Sequence, residues 1–406
     1  MDRQASAIES RARASLVGLA VGDALGAPVE FKERGSFPEL RDMQPGGYFR
    51  LPAGAWTDDT AMALCLAESL LHQPELDARD LLDRFARWLF EDENTSTGKC
   101  VGAGQNTFAV LGNYRRTGEL SARRMNGRSD GNGAIMRLAP VAIRHWCEPL
   151  AAKAIAGQQS RATHASDLSE AACSALASLL CSLIGGKEWS QALVQLAEEP
   201  CPAPLHPILA GMWRTKPRGA IKSTGFVLDT LEAALWAVGM TSSFEEAIVA
   251  AVNLGGDADT VGAVAGQIAG ARYGLAAIPA RWTSALASAE RIEHLAAALF
   301  NEAVCNDESI NNDLSALLAH CTAGGRVCPQ PIEWDRLWQS LPCRTRTDSG
   351  WQPPAPLILA AWHFTSNAEK RRRLAEHIRW AADHDALPAF AAALRTLPAD
   401  RWHLER

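Results

Sequence analysis

Asn253-Leu254-Gly255-Gly256-Asp257-Ala258-Asp259-Thr260 sets two carboxylates and a hydroxyl within four residues, directly behind a pair of glycines. A helical pattern follows, with Val261, Val264 and Ile268 on one side and Gly262, Gly266 and Gly270 spaced four apart on another. Glycine ahead of the acids lets the backbone turn tightly and approach whatever the oxygens hold. Aspartates in a first helical turn suit the positive end of the helix dipole, and hard oxygen ligands gathered at one point suit Mg²⁺ or Ca²⁺. A helix with a polar, capped start explains the octapeptide equally well. The glycine face predicts a neighbouring helix packed close against this one.

Outward from that stretch the chain reads as helix almost throughout, with alanine and leucine recurring at three- and four-residue spacing and little strand-like alternation. The pattern predicts helices over 5–21, 57–71, 78–90, 104–116, 150–159, 168–184, 226–238, 244–251 and 280–302, with a Gly- and Pro-rich loop at 35–52. The fold class expected is all-α, in two parts. Residues 1–304 would form the main domain. Residues 305–406 would form a small helical extension, reached partly through a linker at 344–356 and rich in tryptophan. That extension reads as a docking module or as a cap over the bundle.

With 406 residues, 47% apolar and 21% charged, the chain has the make-up of an ordinary globular protein. Its net charge of −6 offers no basic field for nucleic acid, and Lys370-Arg371-Arg372-Arg373 reads as a solvated helix face. None of the ten cysteines forms a CxxC pair, which fits a reducing compartment. The group Cys305, His320, Cys321, Cys328 and Cys343 has no zinc-module spacing. Glu9 and Asp23 argue against a signal peptide, and the uncharged runs fall short of the ~20 residues of a membrane span. The expected location is the cytoplasm, with no membrane partner.

A second acidic cluster, Thr57-Asp58-Asp59, shares the grammar of Asp257-Ala258-Asp259-Thr260: threonine and two aspartates at a loop-to-helix junction, about 200 residues away. If the fold unites them, four carboxylates meet, and they would repel by several kcal/mol at an effective dielectric of about 20. Divalent cations neutralise such a group better than protons do, and two of them could orient a ribose diol and activate water. Glu30, between Val29 and Phe31 after a Gly/Ala/Pro-rich turn, is expected in partly apolar surroundings that raise its pKa and suit it to acid–base work. A surface loop position would serve as well. Ser129-Asp130-Gly131-Asn132-Gly133 is a turn whose N–H groups could cradle phosphate oxygens, or simply a helix-start turn. His164 alone reads as a hydrogen-bonded structural histidine.

Four segments in order, GDALGAPVEF at 22–31, WTDDT at 56–60, GNGAIMRLAP at 131–140 and NLGGDADTVGAVAGQIAGA at 253–271, make the chain resemble the ADP-ribosylglycohydrolase family over roughly residues 12–300. The resemblance implies an orthogonal helical bundle around a cleft for two Mg²⁺ ions, with Mn²⁺ as a substitute. It implies Thr57, Asp58, Asp59, Asp257, Asp259 and Thr260 as metal ligands, and Glu30 with the metal-holding Asp58 and Asp259 as the catalytic group. Ser129, Gly131, Asn132, Gly133 and His164 would bind ADP-ribose. The implied reaction is hydrolysis at C1″ of the distal ribose of an ADP-ribosylated protein, with arginine the first choice of acceptor. Gly102 falls where some arginine-specific members carry aspartate, and Asp130 where serine-type members tend to have an aromatic residue. Some bacterial members neutralise ADP-ribosylating toxins, so a toxin partner is one reading. A non-catalytic binder that occludes a toxin and a hydrolase of free ADP-ribosyl metabolites are the alternatives.

Overall fold

Between residues 3–122 and 129–303, which the computed structural model describes, the chain forms fourteen α-helices and no strand. The first half holds α1 (Arg3–Gly26), α2 (Asp58–His72), α3 (Ala78–Glu91), α4 (Gln105–Thr117), α5 (Ala139–Arg144), α6 (Pro149–Thr163) and α7 (Asp167–Ile184). The second half holds α8 (Trp189–Ala197), α9 (His206–Leu209), α10 (Val227–Gly239), α11 (Phe244–Val252), α12 (Ala258–Tyr273), α13 (Ala280–Ala285) and α14 (Ala289–Asn301). The all-α expectation holds. The extension, linker, aromatic tail and basic cluster expected over 305–406 lie outside the described residues.

Local signals account for several helix ends. Asp77 caps α3 by accepting from the N–H groups of Arg79 and Asp80, and α3 buries Leu81, Leu82, Phe85 and Trp88 on one stripe. Ser166 caps α7 and Ser243 caps α11 in the same way. The single helix expected over 280–302 is instead two. α13 ends at Ala285, Ser288 takes a left-handed φ of 57°, and the Ala287 N–H turns away to donate to Gly54 O at 2.9 Å. A tertiary hydrogen bond thus interrupts a run whose composition alone would continue. α7 has the length and apolarity of a membrane segment, but 67% of it is buried inside the bundle.

At the centre lies α12, buried on every side from Ala258 to Ala271, as befits a helix apolar all round. Its partner is α1, and the contact is backbone on backbone. A Cβ built at Gly22 would fall 2.0 Å from Gly262 O, one at Gly18 2.4 Å from Gly266 O, and one at Gly26 2.5 Å from Ala258 O. The pairs Ala14/Gly270, Gly18/Gly266, Gly22/Gly262 and Gly26/Ala258 run in opposite directions, so the helices are antiparallel. The close neighbour expected from the glycine face of α12 is therefore α1, whose matching stripe of small residues completes the contact.

Substituting Gly262 by alanine should cost about 3 kcal/mol, the upper end for overpacking, because the obstruction is peptide backbone and cannot rotate away. Gly112→Ala on α4, where a Cβ meets nothing within 4 Å, should instead stabilise by up to about 1 kcal/mol. Chemical denaturation midpoints compare the two, and equal effects would disprove the role given to the α1–α12 contact.

Candidate active site

Because α1 and α12 are antiparallel, the C-terminal end of one meets the N-terminal end of the other, and the start of α2 joins them there. Asp23, in the last turn of α1, is wholly buried and organises this junction. Its carboxylate accepts from the Thr57 N–H at 3.0 Å, Thr57 Oγ1 at 2.8 Å, the Thr60 N–H at 3.0 Å and Thr60 Oγ1 at 2.6 Å. Thr57 occupies the N-cap position of α2 yet makes no capping bond of its own. Asp23 caps α2 from another helix, in place of the local side chain. In the sequence Asp23 serves only to argue against a signal peptide. A lone acid on a helix otherwise fit for the core was the available signal.

The capping alternative for the octapeptide fails. Asp257, the N-cap residue of α12, makes no side-chain cap either. Asp59, Asp259 and Asp23 bring carboxylate oxygens within 4.8 Å of one another, and so do Glu30, Asp257 and Asp259. Thr57 Oγ1 lies 3.4 Å from Asp59 and 3.5 Å from Asp259, and Thr260 Oγ1 lies 3.4 Å from Asp59. The two clusters far apart in sequence are thus one site. Asp58 is buried beside them but belongs to neither close triad.

Two glycines make the loop possible. Gly255 and Gly256 have φ of 68° and 64°, and Cβ atoms there would fall 2.6 Å from Lys32 O and 2.2 Å from Ser223 O. The backbone of Gly256 pairs with the segment after Glu30: Phe31 N donates to Gly256 O at 2.6 Å and Gly256 N to Lys32 O at 2.8 Å. That clasp sets Glu30 against the aspartates. Glu30 is buried, as expected, but Phe31 takes no part, because it is 61% exposed and stacks edge-on with Tyr48.

Charge is what makes the cluster unusual. Burial, followed by repulsion from Asp58 and Asp257, pushes Glu30 up to about 8. Burial and Asp23 push Asp58 up to about 7, and Asp59 and Asp259 stand well above the usual carboxylate range for the same reasons. Glu30 Oε2 and Asp59 Oδ1 are buried without a hydrogen-bond partner. No described ion pair reaches any of these acids. Oxygen donors this dense, desolvated and without a cationic partner among the described residues fit a hard divalent ion.

The glycine turn joins the same site. Asn132 Nδ2 donates to Asp257 Oδ2 at 2.5 Å and to Thr230 Oγ1 at 2.9 Å, while its N–H donates to Gly225 O at 3.1 Å. Asp130 points away, its carboxylate accepting from the Ser166 hydroxyl that caps α7. Ser129 is buried at the start of the turn. His164 is buried beside it, its ring 3.3 Å or less from where Cβ atoms on Gly131 and Gly133 would stand. Asn132 thus ties the turn to the acidic junction, and His164 packs against the turn's glycines. Gly102 also reaches the junction: φ is 86°, and a Cβ would sit 2.1 Å from Asp58 Oδ1. An aspartate at 102 would have to displace Asp58, which gives the departure at that position a steric basis.

Residues 4–308 match the ADP-ribosylglycohydrolase family. The ADP-ribosylarginine hydrolase Tri1 of Serratia proteamaculans (strain 568) is 42% identical over 292 residues, 71% of this chain and 79% of that relative. The ADP-ribosyl-(dinitrogen reductase) glycohydrolase of Rhodospirillum rubrum is 35% identical over 289 residues, covering 69% and 91%. A solved structure described as an ADP-ribosylglycohydrolase-related protein complex superposes with a TM-score of 0.66 at 41% identity, over 73% of this chain and 99% of the other. A match that spans α1 through α14, and with them every acid of the cluster, makes this chain a member of the ADP-ribosylglycohydrolase family, a glycosyl hydrolase of ADP-ribosyl bonds.

Proposed function

We propose that the protein hydrolyses ADP-ribosyl-arginine on proteins, using two Mg²⁺ ions held by Thr57, Asp58, Asp59, Asp257, Asp259 and Thr260. The observation that carries this reading is the desolvated carboxylate cage with unpartnered oxygens on Asp59 and Glu30. The names of the relatives from Serratia and Rhodospirillum support arginine and a protein substrate. Mg²⁺ bound there supplies positive charge that offsets the carboxylates and makes a nearby water more acidic. The turn at Ser129, Gly131, Asn132 and Gly133, with His164, would hold the diphosphate of ADP-ribose. Asn132 couples that grip to the cage through Asp257. Glu30, free at Oε2, would take a proton from the water that adds to C1″ and return it to the guanidine nitrogen as the C1″–N bond breaks. The products are ADP-ribose and unmodified arginine.

A panel of arginine-, serine- and thymidine-linked ADP-ribose substrates tests the acceptor. Release from arginine alone, abolished by EDTA and restored by Mg²⁺, is the expected result, whereas undiminished turnover in EDTA would end the metal reading. In an immunity setting the same hydrolysis would undo a toxin's modification. An Asp59→Asn variant that still protected against such a toxin would favour the occluding, non-catalytic alternative.

Three outcomes follow from the site. Asp59→Asn or Asp259→Asn should lower kcat by more than the ~10–100-fold typical of losing a group behind a metal ligand, and Asn132→Ala should fall within that range. Asp23→Asn should cost stability as well as activity, because it weakens the cap on α2; a Tm equal to that of the parent would contradict the capping role. The third concerns pH. Acids whose pKa is raised on folding stabilise the fold fully below their ordinary range, and that contribution is lost as pH rises through the folded values. With Asp58 at about 7 and Glu30 at about 8, the metal-free protein should lose Tm between pH 5 and 8. Mg²⁺ should then raise Tm more at pH 8 than at pH 5, measured by thermal unfolding in EDTA and in Mg²⁺.

A further inference from the structure

Arg137 has no exposed surface and no carboxylate hydrogen-bonded to it among the described residues. Its guanidinium lies 4.5 Å over the Phe85 ring, with Nε on Gln159 Oε1 at 2.8 Å and Nη2 on Gln159 O at 2.9 Å. Nη2 also donates to Thr163 Oγ1 at 2.8 Å, and Thr163 Oγ1 lies 2.9 Å from His164 Nδ1. A buried cation without an ion-pair partner is costly and calls for a role. Neither the cage nor the turn uses it directly.

Hydrogen-bond chemistry assigns that role. A guanidinium only donates, so Thr163 Oγ1 must accept from Arg137. The threonine hydroxyl keeps one proton to give, and among the described bonds its remaining partner is His164 Nδ1. Giving that proton to Nδ1 uses every group of the chain and makes Nδ1 the acceptor, so that in a neutral ring the remaining proton sits on Nε2. Nε2 is the atom that faces the turn: Cβ atoms at Gly131 and Gly133 would each stand 3.3 Å from it. Burial, and then the charge of Arg137, hold His164 down to about 3, so the ring is neutral. Asn106 Nδ2 fixes the Thr163 carbonyl at 2.7 Å, which keeps this corner of α6 in place.

We propose that Arg137 is a positioning residue: acting through Thr163, it fixes His164 as the neutral Nε2–H tautomer and so presents an uncharged donor to the anion held by the turn at 129–133. The proposal deepens the ADP-ribose reading and rests on it for the identity of that anion. Arg137 itself touches no substrate. An uncharged donor supports the diphosphate without placing a second mobile charge beside the carboxylate cage.

Long-range ¹H–¹⁵N spectra of protein labelled in the histidine rings, recorded without substrate, test the tautomer, with His164→Gln identifying the signal. The parent and Thr163→Ser should show Nε2–H with a bare Nδ1, and Thr163→Val should lose that pattern. Affinity for ADP-ribose by calorimetry should fall about tenfold in Thr163→Val and be retained in Thr163→Ser, as for loss of one hydrogen bond in a charge-assisted chain. Because Arg137→Met empties a buried cationic position and could unfold the chain, the Thr163 pair carries the test. An Nδ1–H signal in the parent, or an unchanged tautomer in Thr163→Val, overturns the relay. An intact Nε2–H pattern in a protein that binds no ADP-ribose would support the relay and remove the proposed substrate.

Discussion

Peptide groups of α1 and α12 touch without side chains between them, and the rest of the active site depends on that contact. Gly22 and Gly262 each stand where a Cβ would strike the other's carbonyl. The closeness brings Asp23, at the end of one helix, level with Asp257 and Asp259, at the start of the other. Larger residues would hold the helices several ångströms further apart, and the carboxylate oxygens would no longer share one point. The geometry of the site is therefore set by the smallest residues in the bundle.

Electrostatics then works against the packing that creates the site. Five aspartates and a glutamate gather at one junction, most of them buried, and burial is the largest cause of each raised pKa. Hydrogen bonds from Thr57 and Thr60 offset part of this for Asp23, and the Asn132 amide does so for Asp257. Asp59 gains only 3.4 Å contacts from Thr57 and Thr260 and keeps Oδ1 without a partner, while Asp259 accepts from the Thr260 N–H at 2.9 Å. Such a conflict between burial and charge is what a functional site keeps at the expense of local stability. Arg137 shows the opposite arrangement: a buried cation whose hydrogen bonds go to the neutral groups of Gln159 and Thr163 rather than to a carboxylate.

Several features were legible in the sequence because they are local. The glycine pair at 255–256 was readable as a tight turn, and both residues do adopt left-handed angles. Period-four glycines announced a close helix contact, and threonine with two aspartates announced a helix start. Other features were not legible, for reasons of distance. Asp23 caps a helix that begins 35 residues later, so no window around Thr57 could reveal why that residue makes no cap. The break between α13 and α14 answers to a hydrogen bond from Ala287 to Gly54, again remote in sequence. Phe31 was expected to shield Glu30 by adjacency, but a left-handed φ of 64° turns it outward.

By itself the sequence determined the helical class, the residue types able to bind a hard cation, and the family resemblance carried by four ordered motifs. The first two follow from periodicity, spacing and composition, which act over a few residues, and the resemblance rests on the motifs themselves. Only the tertiary structure decided that the acids at 57–59 and 257–259 form one cage, that Asp23 braces it, and that Asn132 ties the glycine turn to Asp257. It also placed Thr163 Oγ1 between the Arg137 guanidinium and His164 Nδ1. Each of these joins residues from different helices, and their meeting depends on how closely the backbones approach, a quantity that the packed bundle alone defines.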